Sequence, residues 1–383
     1  MLIGVIILKN WHETPFSRQF FSLFITNKHN SIGLRLCVVL IGSEKNHVSI
    51  TSFFRYYFNN AILQGSEVSV QTKAVIINQY GSKEVLEDGT VTLPELGENQ
   101  VLVHAKATSI NPIDWKLREG YLKQMFDWEF PIILGWDVAG VIEAVGSNVS
   151  DWKVGDEVFA RPETTRFGTY AEHTIVDEHL LAKKPASISF EEAAAVPLAG
   201  MTAYQGLFDH GKLEKGEKVL IHAGAGGVGS YAIQLAKEAG AYVYTTASPK
   251  NHDLLKALGA DEVIDYHTTN VKDVLHDIDL VLDTIGGETQ NESFAVLKEN
   301  TGRIISVVGE PNQEKAKEKN VVAKGIWLNP DGKQLSKIGA LLEEGKVKSV
   351  IASKHPLSRQ GIYDAHALSE THHAAGKIVI TVD

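Results

Sequence analysis

Six residues, Gly224-Ala225-Gly226-Gly227-Val228-Gly229, have the spacing of a phosphate cradle. They lie between an apolar run, Lys218 to His222, and an Ala/Leu-rich stretch with helical periodicity. A strand that turns into a helix this way offers free N–H groups and a positive dipole end to a pyrophosphate. Each glycine has its own reason: Gly224 permits the tight turn, Gly226 lets backbone approach the phosphates, and Gly229 lets the helix pack close to the strand. Alone, the loop could be a structural glycine turn. The second strand, Ala241 to Thr246, completes a βαβ unit and favours dinucleotide binding, with Gly227 and Val228 in the loop. The end of that strand selects the dinucleotide. An acidic residue about 20 positions on would bind the 2′-OH of NAD, but this chain has Ala247, Ser248, Pro249 and Lys250. No carboxylate repels a 2′-phosphate there, and a hydroxyl and an ammonium can receive one, so NADPH is favoured over NADH. The bland alternative for Lys250 is a solvated residue at a helix start.

The elements that must position this loop alternate. Lys73 to Asn78 is a short β-branched run, and Val101 to Ala105 alternates apolar with polar residues. From Gly135 to Phe159 valines recur between Gly140, Gly146 and Gly155, which suits short strands with tight turns in an irregular barrel. After about Pro197 strand-like segments (219–221, 243–245, 280–282, 304–308) alternate with helical patterns such as Ser230 to Ala239 and Asp253 to Leu258. That alternation calls for a parallel sheet with right-handed crossovers.

The 383 residues are 44% hydrophobic and 22% charged, enough core for two domains. A net charge of −10 argues against nucleic acid as the main partner. One cysteine, Cys37, rules out an intrachain disulfide or a zinc site with two thiolates, and fits a reducing, cytoplasmic setting. No run reaches the roughly 18 to 20 apolar residues of a membrane-spanning helix; Leu36 to Gly42 is far shorter. Residues 1–71 differ from the rest. They hold six basic and three acidic residues, a net of +3 that leaves −13 on the remainder, and ten of the 31 aromatics. This leader is open to three readings: a targeting segment, an extra subdomain, or upstream sequence from a start codon set too early. The last is the one favoured, and the segment is expected to stand outside the fold.

Further segments are Asn111-Pro112-Ile113-Asp114, Pro131 with Gly135-Trp136-Asp137-Val138-Ala139-Gly140, and Val145-Gly146 leading to Gly155-Asp156. Others are Gly168-Thr169-Tyr170-Ala171-Glu172, Pro197 with Thr202-Ala203-Tyr204, Asp283 with Gly286-Gly287, and Gly376-Lys377-Ile378-Val379. With the cradle, they resemble the medium-chain dehydrogenase/reductase superfamily in its zinc-free quinone oxidoreductase (zeta-crystallin-like) branch, from about Lys73 to Asp383. The resemblance implies an α/β protein: a GroES-like irregular β-barrel catalytic domain over 72–197, a Rossmann doubly wound parallel sheet over 198–330, and a return to the catalytic domain over 331–383. It also implies a homodimer. It places Asn111 and Asp114 near the nicotinamide ribose, Thr202 at the carboxamide, Gly309 beside the ring, and Tyr266 near the adenosine end. Asn111 could instead fix a turn, Asp114 cap a helix, and Tyr266 simply pack. Enoyl thioester reductases of the superfamily follow a similar Asn-Pro-x-Asp segment with a proton-donating tyrosine. Tyr121 stands about one position off that pattern, and its alternative is a rim aromatic.

Zinc-dependent relatives carry Gly-His-Glu where this chain has Gly135-Trp136-Asp137, together with cysteine ligands it lacks, so no metal is expected. Alcohol oxidation through a metal alkoxide is then disfavoured. Hydride delivery to an acceptor that is already electrophilic remains. The leading expectation is NADPH-dependent reduction of quinones or related small electrophiles. The runner-up is reduction of the C=C bond of 2-alkenals, 2-enones or enoyl thioesters. From another class comes a non-catalytic NADPH-binding, crystallin-like protein. The acceptor pocket is expected from loops around Tyr121–Phe130, Arg161–Phe167 and Glu310–Val322. Phe126, Trp128 and Phe130 suit either a flat apolar guest or core packing.

Overall fold

The structure, a computed structural model, describes residues 70–382. The expectations for residues 1–69 lie outside the described residues. Sixteen strands are present among the described residues: β1 (Gln71–Ile77), β2 (Leu86–Thr92), β3 (Gln100–Ile110), β4 (Ile132–Ile133), β5 (Val138–Val145), β6 (Glu157–Ala160), β7 (His173–Asp177) and β8 (Leu181–Lys183) come first. Then follow β9 (Lys218–Ile221), β10 (Tyr242–Ala247), β11 (Glu262–Asp265), β12 (Leu280–Asp283), β13 (Arg303–Ser306), β14 (Val322–Gly325), β15 (Ile351–Pro356) and β16 (Lys377–Thr381).

A six-stranded sheet has the order β11-β10-β9-β12-β13-β14, and every pair in it is parallel. Its central strands are buried on both faces, with Val219, Leu220, Ile221, Leu280, Val281 and Leu282 all without exposed surface. Near-continuous apolar runs are what a sheet covered by helices on both sides requires. The strand order reverses between β9 and β12, which puts the ligand crevice of such a sheet beyond the carboxyl ends of these strands. The helix Gly227–Glu238 starts three residues earlier than its apolar periodicity suggests, because the extended Gly226 is its N-cap. Strand β13 stops at Ser306 rather than Val308: the Ser306 hydroxyl donates to Asp283 and accepts from the Val308 N–H, which turns the chain.

The barrel part is antiparallel except at one edge, where β15 runs parallel to β16. Its seven-stranded sheet follows β15-β16-β3-β5-β6-β8, with β7 also on β3, and a small sheet β2-β1-β4 closes the other side. The 11-residue β3 is the spine; register shifts on its pairing with β5 bend it. Strand β16 comes from the far end of the chain yet pairs antiparallel with β3, Ile378 opposite Ile110. This pairing delivers Lys377 to the end of β3 where Asn111 begins the next helix. Phe126 and Trp128 pack on each other (4.8 Å between rings) and Trp128 on the buried Trp136 (6.1 Å), so both lie partly buried against the barrel core.

Candidate active site

The cradle is built by close approach. A Cβ on Gly224 would come within 2.0 Å of Thr245 Oγ1, and one on Gly229 within 2.4 Å of the Ala223 carbonyl; both glycines let loop, strand and helix touch. Gly226 is different: its Cβ would meet only the Ala223 carbonyl, at 3.3 Å, so its outer side is left clear. The first hydrogen bond of the helix runs from Ser230 N to Gly226 O (3.0 Å). The N–H groups of Gly227, Val228 and Gly229 precede it and are the orphan donors of a helix N-terminus. The residues therefore fit a dinucleotide pyrophosphate. Behind the loop, His222 is buried, its ring held by Thr246 (3.2 Å) and Ser293 (2.8 Å). Burial lowers its pKa to about 4, so it is a neutral brace.

Ser248 and Lys250 stand just past the end of β10, Ser248 as the cap of the helical turn Pro249–Asn251 and Lys250 within it. Lys250 is exposed and has no ion-pair partner among the described residues. Tyr266 follows the neighbouring β11, half exposed and against the His267 ring (4.2 Å). Gly309, with φ 151°, lies in the loop after β13, with nothing within 4 Å of the Cβ it lacks. The sequence-derived cofactor residues of this sheet are thus all at its carboxyl edge.

On the barrel side one carboxylate organises the site. Asp137 has no exposed surface. Its Oδ2 accepts from Ser109 Oγ (2.6 Å) and Asn111 Nδ2 (2.7 Å) and lies 3.6 Å from Lys377 Nζ; its Oδ1 accepts from Leu198 N (2.8 Å). Lys377 Nζ donates to Asn111 Oδ1 (2.5 Å) and Ile110 O (2.8 Å), so Asn111 is gripped through both ends of its amide. The alkyl stem of Lys377 lies against Gly227, where a Cβ would sit 2.9 Å from Lys377 Cδ, and Gly376 N donates to Ala225 O (2.7 Å). One lysine thereby ties the barrel site to the cradle. Burial holds its ammonium below the usual lysine range, opposed by Asp137 and Asp114.

Asp114, expected at the nicotinamide ribose, is placed elsewhere. It is wholly buried, and its Oδ2 accepts from Asn111 N (2.8 Å), as a capping box requires, and from Tyr170 Oη (2.6 Å). It positions Asn111 from beneath and has no surface for a cofactor. Burial pushes its carboxyl up to about 7. The chain continues inward: Arg118 Nη1 meets His366 Nδ1 (3.0 Å) and His366 Nε2 meets Tyr170 Oη (3.2 Å). Burial and then Arg118 lower His366 to about 3, so the imidazole is neutral.

Thr202 lies in the helix Pro197–Tyr204, 7% exposed, and its hydroxyl has no hydrogen bond among the described residues. Tyr121 is 70% exposed, edge-on to Trp115 (6.5 Å between rings) and likewise without a hydroxyl hydrogen bond among the described residues. Arg161, read from sequence only as a loop boundary, is buried; its Nη1 donates to Pro162 O (2.7 Å) while its Nε has no partner among the described residues. Of the residues that sequence reasoning missed, Lys377 and Tyr170 carried a signal, each standing in a segment that carries the resemblance, Gly376-Lys377-Ile378-Val379 and Gly168-Thr169-Tyr170-Ala171-Glu172. His366 had none, and its contact with Tyr170 joins residues 196 apart in sequence, as the contact of Tyr170 with Asp114 joins residues 56 apart.

A two-part molecule with a dinucleotide cradle facing a polar barrel cleft defines a class of oxidoreductase fold, and similarity narrows it. Residues 97–186 match the family described as Alcohol dehydrogenase GroES-like domain, and 258–380 that described as Zinc-binding dehydrogenase. The chain is 36% identical over 362 residues to the NADPH-dependent alkenal/one oxidoreductase, chloroplastic, of Arabidopsis thaliana, covering 92% of this chain and 90% of that one. It is 40% identical to the 2-methylene-furan-3-one reductase of Solanum lycopersicum, over 81% of this chain and 79% of the relative. The solved quinone oxidoreductase of Coxiella burnetii superposes with TM-score 0.77 at 37% identity, covering 82% of this chain and all of that one. The chain belongs to the medium-chain dehydrogenase/reductase superfamily, in its quinone oxidoreductase-like branch. A catalytic zinc does not fit the residues at Gly135-Trp136-Asp137. The Asp137 carboxylate is already taken by three hydrogen bonds and an ammonium, and Trp136 offers no ligand atom, its Nε1 donating to Thr165 O (3.1 Å).

Proposed function

We propose that this chain is an NADPH-dependent reductase that delivers hydride to quinones and related small conjugated electrophiles without a catalytic metal. The observation that carries this reading is the pairing of a cradle ending in Ser248 and Lys250 with a barrel carboxylate saturated by protein donors. Bound NADPH supplies the hydride; the residues of the chain hold and orient. The N–H groups of Gly227 to Gly229 receive the pyrophosphate, Ser248 and Lys250 the 2′-phosphate, and the free Thr202 hydroxyl the carboxamide. Asn111 is fixed by Asp137, Lys377 and Asp114, so its orientation is set before any ligand enters. With no Lewis acid to polarise a carbonyl, the acceptor must be electrophilic in itself.

A second reading, reduction of the C=C bond of 2-alkenals or 2-enones, is favoured by Tyr121, whose exposed hydroxyl is free to give up a proton. Turnover by the purified chain with NADPH, an ortho-quinone and a trans-2-alkenal in parallel tests both. Turnover of the quinone alone supports the first reading. Turnover of the alkenal alone moves the assignment to C=C reduction, and Tyr121→Phe should then lower kcat at least about tenfold. Tight NADPH binding without turnover of either would overturn both in favour of a non-catalytic role. The same reading includes a homodimer through the β14 edge, supported by the exposed Val322 and Trp327, and a reducing, cytoplasmic setting, supported by the lone cysteine. Light scattering of the purified chain checks the first, and fractionation the second.

A further inference from the structure

Three neighbouring strands of the barrel bring two imidazoles and a carboxylate together away from the cofactor cleft. His104 of β3 and His173 of β7 are direct cross-strand partners, their rings stacked 4.9 Å apart and 20° from parallel. Glu143 of β5 stands beside both: its Oε1 lies 3.2 Å from His104 Nδ1 and its Oε2 3.1 Å from His173 Nε2. One ligand atom from each residue can be chosen so that all lie within 4.8 Å of one another, and no other such group of three occurs among the described residues. The side chains are 27%, 20% and 44% exposed, so an ion can enter from solvent.

Two histidines and one carboxylate form a recognised protein ligand set for Zn2+. A tetrahedral ion with bonds of about 2.0 Å spaces its ligand atoms about 3.3 Å apart; the 3.2 and 3.1 Å contacts already present are made by different oxygens of Glu143, so the carboxylate bridges the two imidazoles and turns one oxygen, or presents both, toward an ion that binds between them. Each ligand sits on a strand hydrogen-bonded to β3 or on β3 itself, so the backbone fixes their spacing. Glu143 is six residues along the chain from Asp137, about 20 Å in extended strand, which separates this cluster from the reductase site.

We propose that His104, Glu143 and His173 form a surface zinc site, with water in the fourth position, that clamps β5, β3 and β7 together. The full chain, stripped of metal, is titrated with Zn2+ against a chromophoric chelator, and its Tm is measured with and without Zn2+. The same is done for the double variant His104→Gln/His173→Gln and for Glu143→Gln. Because Cys37 and other histidines can hold zinc, the readout is the difference between variants. The expected result is one equivalent of Zn2+ that raises Tm, lost in the double variant and weakened at least tenfold in Glu143→Gln, with NADPH oxidation unchanged in all three proteins. Equal Zn2+ binding by the unaltered chain and the double variant, or no zinc-dependent rise in Tm, would overturn the site and leave a hydrogen-bonded His–Glu–His trio only.

Discussion

The cradle and the barrel cleft face one cofactor but are made in opposite ways. The cradle is local: residues 218–250 contain the strand, the turn, the helix start and the two residues proposed for the 2′-phosphate, Ser248 and Lys250. Its glycines act by leaving room, whether for Thr245 and Ala223 or for a phosphate. The cleft is assembled from distant pieces. Asp137 holds Ser109, Asn111, Leu198 and Lys377, which span 269 positions of sequence, and Asp114 reaches Tyr170 and thence His366. One region works by steric omission and the other by buried charged groups, of which Asp137 is fully partnered while Asp114 Oδ1 and Arg161 Nε have no hydrogen bond among the described residues. The first should tolerate loss of a group with little effect on folding, and the second should not.

Lys377→Met is the strongest way to break that contrast. It leaves Asp137 charged and buried, so stability to urea should fall by about 3–5 kcal/mol, and adding Asp137→Asn should restore part of it. Unfolding indistinguishable from the unaltered chain would show that the cleft is not held by its charges. Lys250→Ala tests the other region: NADPH affinity should fall by about 1.5–3 kcal/mol, the worth of a charge-assisted hydrogen bond, with NADH affinity and Tm unchanged. A parallel loss for NADH would remove Lys250 from the 2′-phosphate. Gly226→Ala should weaken NADPH binding about tenfold, or about 1.4 kcal/mol, by filling the side left clear for the pyrophosphate, while the fold persists. Unchanged titration of cofactor fluorescence would place the phosphates elsewhere.

The finest distinction is a slope with pH. Asp114 has a folded pKa of about 7, above its ordinary value near 3.8. Its contribution to stability is therefore complete below about pH 4 and lost as pH rises through 7. His366 and His222, at about 3 and about 4 in the fold, act in the opposite sense: their contributions are present above the ordinary histidine pKa and lost as pH falls. The measurement is thus a difference, in which the stability of the unaltered chain relative to Asp114→Asn should decline between pH 4 and 7. A flat difference would mean that the carboxyl is not the buried acid the geometry describes.

What could be read in the chain follows the same division. The glycine-rich loop and the parallel sheet were legible because each depends on spacing within a few tens of residues, and the proposed 2′-phosphate role of Ser248 and Lys250 rests on the same local spacing. The expectation that Asn111 and Thr202 are site residues rests on resemblance alone; the structure buries Asn111 with both ends of its amide bonded within the protein, and leaves the Thr202 hydroxyl without a hydrogen bond among the described residues. Asp114 was misplaced because a capping carboxylate and a ligand-binding one look alike in sequence; burial, which only packing decides, separates them. Phe126 and Trp128 were ambiguous for the same reason, and their packing toward Trp136 sets them partly buried against the core.

By itself the sequence determined that strands alternate with helices after Pro197, that a phosphate loop opens one helix, and that no carboxylate waits at the end of β10. These are properties of periodicity and of residues near in sequence. Only the tertiary structure decided that β16 closes on β3, that Lys377 stands between Asn111 and the cradle, and that His104, Glu143 and His173 share one corner of the barrel. Strand register places a side chain against partners hundreds of residues away, and no local pattern records that register.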